Sequence, residues 1–502
     1  MDAMSHGKKI AENAAWLMVA TTAQKAIAFV AFTVIARLAG TSLTGQYFFA
    51  VSITSIFVTF ADLGLTPVLI REMAADENRG RAVFARAMLA KAILLPLTIL
   101  AAIGYAWLIG QWRPDNMPPE TFTAVIISAI FVMAADATSV MWYGAIRGRR
   151  DLRFEAAGMF VGQILTAVIG ISAAWFHFGV IGLVTGLAAG SLWNLGWSIS
   201  VVNRLGLWPK DNKEFTFKRL LWYAAPFALA GIFVKVYSYA DSQVLQAVFG
   251  SVAVGQYAVA YKLTYALQFL PITFVAALYP GLAHAARHDK DAIPGILKGS
   301  QRLMLIASVP MTALLSALAP RLITRLYGPA FEGSILPLMV LPWVLIPIFL
   351  DFPVGSLLNS THRAHQKTTA MGITMVVNVL ANLALVPMYG PVGAAWAGVI
   401  SFWLLFFIGW WYARREMALS WFGPLFLRGL GAAFASWGAI VLLTPIMTEA
   451  FAYLFGAAVS GAALFLFGLL TVPDVLIAWR WLKRKVIPNA EEEEDEALHD
   501  KP

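Results

Sequence analysis

Gly40-Thr41-Ser42-Leu43-Thr44-Gly45-Gln46-Tyr47 returns, 210 positions further on, as Gly250-Ser251-Val252-Ala253-Val254-Gly255-Gln256-Tyr257. The echo extends outward from this stretch. At the same offset Lys25 falls on Lys235, and at an offset of 211 Phe178-Gly179 and Gly182 fall on Tyr389-Gly390 and Gly393. The chain therefore reads as a duplication in which each copy carries one lysine inside an apolar run. Paired bundles meeting at a midplane site are a recurrent membrane architecture, and a charge held in hydrocarbon costs enough to be a functional candidate by default.

Composition supports a membrane setting. Of the 502 residues, 59% are hydrophobic and only 13% charged, and the mean hydropathy is +0.71, beyond what a soluble core needs. Apolar runs of about 20 residues recur along the whole length, enough to cross a ~30 Å hydrocarbon layer as helices. They predict an all-α integral membrane protein with about 14 transmembrane helices, the first near Ala14 to Ala39 and the last near Ala450 to Ala478.

Charge orients the bundle. Of the 37 basic residues, 29 fall on every second connection, in groups that include Arg71 to Lys91, Arg147 to Arg153, Arg287 to Arg302 and Arg363/Lys367. Short loops rich in Lys and Arg stay in the cytoplasm, so both termini are expected inside. The net charge of +9 then reflects orientation and attraction to anionic membrane lipids, not nucleic-acid binding. The first apolar run is too long for a cleavable signal and lacks a small-residue cleavage site, so it is expected to remain as a span. The acidic run Glu491 to Glu496 is expected to be a disordered, solvated tail.

Several chemistries lack their residues. There is no cysteine, hence no disulfide framework or thiolate metal site. No phosphate-binding loop, dinucleotide fingerprint, His-Glu-x-x-His helix or nucleophile elbow occurs, so no catalytic residue, metal site or cofactor is assigned and the chain is not read as an enzyme. The outward loops are short, which disfavours a membrane glycosyltransferase or polymerase.

What remains is polarity within the spans. Lys25, with Gln24 beside it, and Lys235, with Ser238, Tyr239, Ser242 and Gln246 on its helix face, give the two halves matching polar stripes. Lys262, Asp62, Asp136, Asp241 and Asp351 complete the set. Two readings compete. In one, the charges pair across helices to fix packing, Lys25 with Asp62 and Lys235 or Lys262 with Asp241. In the other, the lysines offer cationic donors to an anionic group in a wet cleft. Duplication favours the second, because a packing pair has no need to recur at equivalent positions. The aspartates are candidates for coupling to Na+ or H+. Pro342, Pro347 and Pro353 predict a helix break near Asp351.

Ala36-Arg37-Leu38-Ala39-Gly40, Gly45-Gln46-Tyr47 and Phe60-Ala61-Asp62-Leu63-Gly64-Leu65 resemble the opening of the polysaccharide and O-antigen lipid-linked oligosaccharide flippases. So does Asn378-Val379-Leu380-Ala381-Asn382, followed by Val386-Pro387-Met388-Tyr389-Gly390-Pro391-Val392-Gly393-Ala394-Ala395. The family lies within the multidrug/oligosaccharidyl-lipid/polysaccharide exporter superfamily. The resemblance implies two pseudo-symmetric six-helix lobes in a V shape plus two C-terminal helices. On this chain that means an N-lobe over 1–205, a cytoplasmic linker over 206–220, a C-lobe over 221–415, two extra helices over 416–485 and the tail over 486–502.

The implied activity is alternating-access transfer of undecaprenyl-pyrophosphate-linked oligosaccharide from the cytoplasmic to the periplasmic leaflet of the bacterial inner membrane, for surface polysaccharides such as lipopolysaccharide. Lys25 and Lys235 would bind the pyrophosphate, with Lys262 as a further cation. Gln24, Tyr239, Gln246, Asn378 and Asn382 would offer polar or sugar contacts. A polysaccharide polymerase or glycosyltransferase complex is the implied partner. A lipid II flippase and a cation-coupled multidrug exporter of the same superfamily are the rival readings.

Overall fold

The computed structural model describes residues 2–111, 119–149, 151–210, 216–414, 421–443, 447–474 and 476, with side chains from residue 21 onward except at 276, 277, 449 and 450. The expected acidic tail lies outside the described residues. Among those described, every regular element is helical. In chain order they are α1 (Asp2–Asp62), α2 (Leu65–Ala75), α3 (Glu77–Gln111), α4 (Pro119–Gly148), α5 (Leu152–Trp175), α6 (Gly179–Arg204), α7 (Phe217–Phe249) and α8 (Ser251–Tyr265). Then follow α9 (Phe269–His288), α10 (Ile293–Ala317), α11 (Ala319–Leu326), α12 (Ile335–Val340), α13 (Leu345–Ser360), α14 (Ala364–Ala413), α15 (Phe422–Leu443) and α16 (Glu449–Leu466).

Among the described residues ten helices are long and apolar enough to cross a membrane, or eleven if α10 and α11, bent by 69° at their junction, form one span. The chain is a multi-pass membrane protein. Two of the ten, Thr21–Asp62 with 42 residues and Ala364–Ala413 with 50, would extend ~63 Å and ~75 Å as straight rods, about twice a hydrocarbon layer. Neither is straight. Gly40 interrupts α1 at φ 77°, ψ 178°, and Gly390 interrupts α14 at φ 56°, ψ −133°.

The duplication reappears as backbone geometry. Gly250, which separates α7 from α8, holds φ 77° and ψ −169°, nearly the conformation of Gly40. This region is closed to residues with a Cβ, which explains a glycine at both positions. Gly179 at φ 66° and Gly390 at φ 56° repeat the pattern at the second pair of echoes.

The two echoes also touch. Helix α1 beyond Gly40 crosses α8 so closely that a Cβ on Gly45 would lie 1.8 Å from the Ser251 carbonyl oxygen, and one on Gly255 would lie 2.0 Å from that of Thr41. Thr41 and Ser251 are equivalent in the repeat, as are Gly45 and Gly255, so each glycine receives the backbone of the other copy. Such a crossing is the membrane use of small residues, which trade side-chain volume for close backbone approach. Polar ties flank it. Arg37 Nη1 donates to the Arg325 carbonyl at 2.9 Å, and Thr33 and Tyr327 share a hydrogen bond of 3.1 Å between their hydroxyls. Deeper in, Tyr105 donates to Gln243 at 2.7 Å and Gln243 donates to Ser52 at 2.6 Å, joining α3, α7 and α1.

Helix α7 serves both halves. Leu220 and Ala224 in its first turns sit in a buried cluster with Leu65, Leu69, Val202 and Leu207, whereas Tyr237 further along meets Phe402 of α14 edge-on at 5.7 Å. The predicted proline break is real but displaced. A 3-10 turn, Leu341–Val344, separates α12 from α13, and Asp351 lies within continuous α-helix. Pro342 sits inside this turn, where its missing N–H does the damage, while Pro347 lies in the first turn of α13, where no intrahelical N–H is needed.

Candidate functional site

Two cavities lie between the helices. The first, of about 370 Å³, is lined by Gln24 and Phe32 of α1, Asp136 and Tyr143 of α4, and Lys262 of α8, with walls from α5 and α6. The second, of about 410 Å³, lies between α7, α8, the turn before α9, α13 and α14. An aromatic seam links them. Phe32 meets Phe48 at 6.4 Å, Phe48 meets Tyr261 at 5.4 Å, and Tyr261 meets Tyr265 at 4.3 Å between ring centres.

The intramembrane charges sort into two groups. In the first, every ion has a partner. Lys91 lies 3.5 Å from Asp62 and donates to the Ala137 carbonyl, and Asp62 also accepts from Thr66 at 2.5 Å. Lys367 chelates both oxygens of Asp351 at 2.5 and 2.6 Å. Arg147 of α4 grips Glu155 of α5 through Nε at 2.6 and 2.8 Å. These are packing pairs, matched because a lone buried ion costs several kcal/mol.

Lys25, Lys235 and Lys262 form the second group, and among the described residues none of them makes an ion pair. The Lys262 ammonium sits 5.4 Å from the Phe32 ring centre and 5.6 Å from that of Phe48. That of Lys235 sits 5.7 Å from the Tyr239 ring centre, and Tyr239 stacks on Tyr261 at 6.1 Å. Lys25 is exposed and lies on the same face of α1 as Phe32, two turns or ~10.5 Å away along the axis. The Lys235 and Lys262 ammonium groups thus border one aromatic cluster, and Lys25 lies further along α1. Ring faces attract cations but leave their hydrogen-bonding capacity unused.

The anticipated pairings are therefore wrong in their partners. Asp62 is held by Lys91, not Lys25. Asp241 accepts from the Tyr257 hydroxyl at 2.5 Å and from the Ser242 amide at 2.6 Å, so neither Lys235 nor Lys262 neutralises it. Lys91 and Lys367 had been grouped with cytoplasmic loops, yet they are only 4% and 7% exposed. Their helices begin several residues before the apolar runs do, and charge-rich first turns look like loop in a sequence. An aspartate facing each across a helix pair was the signal available.

Other candidates divide similarly. Gln24 and Asp136 line the first cavity, and Asp136 is hydrogen-bonded to Ser191. Gln246, 1% exposed, shares hydrogen bonds with Ser251 beside the glycine crossing. Asn378 donates to Ser401 at 3.0 Å, and Asn382 donates back to the Asn378 carbonyl at 2.9 Å. Gln246 ties α7 to α8, Asn378 ties the two arms of α14, Asn382 bonds one turn back on its own helix, and none of the three lines either cavity. Among the described residues no group of His, Asp or Glu is arranged to hold a metal.

Helices long and apolar enough to cross a membrane and internal cavities lined by ionisable side chains define a class, that of polytopic all-helical membrane proteins. More particularly, the chain belongs to the polysaccharide biosynthesis protein family, whose model matches residues 10–285. It is similar to the probable low-salt glycan biosynthesis flippase Agl15 of Haloferax volcanii, with 19% identity over 78% of this chain and 81% of that protein. Among solved structures it shares the fold of the lipid II flippase MurJ in an inward closed conformation, with a TM-score of 0.72, 13% identity, and coverage of 92% of this chain and 99% of that one. An inward-facing multidrug-resistance transporter of the MOP superfamily also matches, with a TM-score of 0.60, 14% identity, and coverage of 79% and 94%.

Proposed function

We propose that the protein is a flippase that carries undecaprenyl-pyrophosphate-linked oligosaccharide from the cytoplasmic to the periplasmic leaflet of a bacterial inner membrane. One observation carries the reading. Of the lysines within the spans, Lys91 and Lys367 are neutralised by aspartates, while Lys235 and Lys262 border an aromatic cluster and Lys25 lies exposed on α1, none of the three with a carboxylate in ion-pair reach among the described residues. Cations kept unpaired at such cost are available to an anion, and a pyrophosphate offers several charge-assisted acceptors at once. Lys262 in the first cavity would take the central share, with Lys25 and Lys235 on the paths leading to it.

The spans number 14 in this reading. The breaks at Gly40 and Gly390 turn the two longest helices into hairpins, the bent α10–α11 pair is one span, and the shorter α16 is another. Spans one to six and seven to twelve form the two lobes, with the last two as the C-terminal addition and both termini cytoplasmic by the positive-inside rule. The glycine crossing then lies at the outer surface, and its closure together with the Arg37, Thr33 and Gln243 ties seals the periplasmic side. Exchange of this seal for a cytoplasmic one is the alternating-access step. Asp136 is the candidate for coupling to an ion gradient.

The reading is tested by leaflet accessibility of a fluorescent undecaprenyl-pyrophosphate oligosaccharide in proteoliposomes. Both leaflets equilibrate when the protein is present if the proposal is right. A lipid that stays where it was added, under proton and sodium gradients of either sign, overturns it.

A further inference from the structure

We propose that the second cavity is a saccharide chamber that receives the sugar next to the pyrophosphate, an inference that rests on the flippase reading above. Its electrostatics are neutral by construction. Lys367 holds Asp351 on one wall at 2.5 and 2.6 Å, so the chamber offers neither a free cation for phosphate nor a free anion for a drug. Its hydrogen-bonding capacity, by contrast, is unspent. Tyr237, Ser238, Tyr265, Gln268 and Asn359 line it, and none of their side chains hydrogen-bonds to another described residue.

An acyl or polyprenyl chain here would leave those five groups without hydrogen-bond partners. A polyhydroxylated ring would satisfy them. The remaining wall is apolar, with Tyr261, Phe352 and Phe402 beside Val234, Ile348 and Leu405, and Tyr265 lies 6.0 Å and Tyr237 5.7 Å from the Phe402 ring. Flat ring faces of this kind accept the C–H faces of a pyranose while the phenolic ends stay polar. At about 410 Å³ the chamber falls in the size range of small-molecule sites.

Position ties the chamber to the cationic site. Tyr261 lines the second cavity and the next residue, Lys262, lines the first. The two cavities therefore meet α8 at adjacent residues, and a ligand whose diphosphate lies on Lys262 would carry its attached sugar toward the Tyr261 wall. Neutral hydroxyl-rich sugars fit this chamber, and a sugar acid does not, since Asp351 and Lys367 already satisfy each other.

The test compares affinities of the full-length protein in nanodiscs for undecaprenyl pyrophosphate and for undecaprenyl-pyrophosphoryl-N-acetylglucosamine. The native chain is expected to prefer the sugar-bearing lipid. Gln268→Leu with Asn359→Leu is expected to reduce that preference about tenfold, as loss of one to two hydrogen bonds implies, with affinity for the bare lipid unchanged. Tyr265→Phe, which keeps the ring, gives a smaller loss of the same kind and reads the chamber if the double variant fails to fold. A preference that survives these substitutions, or a native chain that binds both lipids equally, overturns the chamber and leaves the flippase reading standing. A native chain that binds neither lipid overturns both.

Discussion

Gly45→Val and Gly255→Val are each expected to lower transport at least about tenfold while the protein still reaches the membrane. The added Cβ alone would lie 1.8 Å from the Ser251 carbonyl oxygen or 2.0 Å from the Thr41 carbonyl oxygen. Both obstacles are backbone, so no side-chain rotation relieves them and the two helices must part. Overpacking costs about 1–3 kcal/mol even where side chains can yield, and about 1.4 kcal/mol already shifts a two-state population tenfold. The penalty falls on the closed crossing, to which the protein must return in every cycle. Because the chain has no cysteine, Thr44→Cys at the crossing, where Thr44 is fully buried, can be labelled without background. An impermeant maleimide should react faster with that cysteine when Gly255→Val is present. Gly104→Val and Gly196→Val, where an added Cβ meets nothing within 4 Å, should behave as native. Unchanged labelling and transport in Gly45→Val and Gly255→Val would remove the crossing from the mechanism.

Lys262→Gln should produce the second large effect, a loss of about 10- to 150-fold in affinity for undecaprenyl pyrophosphate. That range corresponds to one hydrogen bond with a charged partner, about 1.5–3 kcal/mol. Glutamine keeps a hydrogen-bond donor, one bond shorter, and removes the charge. Stability should hardly change, because Lys262 leans on the Phe32 and Phe48 rings and is not part of an ion pair. Lys367→Gln is the contrasting case. It strips Asp351 of its partner and should lower thermal stability more than lipid affinity. Equal effects of the two substitutions on affinity and on melting would place Lys262 among the packing residues.

Much of this was legible in the sequence, and unevenly so. The echo of residues 40–47 at 250–257 announced both the duplication and its glycines, because backbone torsion at Gly40 and Gly250 and close approach at Gly45 and Gly255 constrain residue type locally. Long apolar runs marked the all-helical, multi-pass character for the same reason. Charge pairing was less visible. Lys91 and Lys367 read as loop residues because hydropathy is averaged over a window, whereas the aspartates that retain them come from other helices. Gln246, Asn378 and Asn382 read as ligand contacts because a polar residue in an apolar run is ambiguous until its neighbours are known; in the fold Gln246 meets Ser251 and Asn378 donates to Ser401. The second cavity was invisible as a unit, since Tyr237, Gln268 and Asn359 converge only through the packing of α7, the turn after α8, and α13.

The most direct test joins the substrate to the closure. Ser52→Cys and Gln243→Cys, whose native side chains meet at 2.6 Å, can be bridged by a short reducible thiol crosslinker in proteoliposomes carrying fluorescent undecaprenyl-pyrophosphate oligosaccharide. The account predicts that the bridged protein leaves the lipid in its original leaflet and that reduction restores equilibration. Transport that continues through the bridge, or a reduced protein that moves no lipid while the native chain does, would contradict a mechanism in which this contact must open.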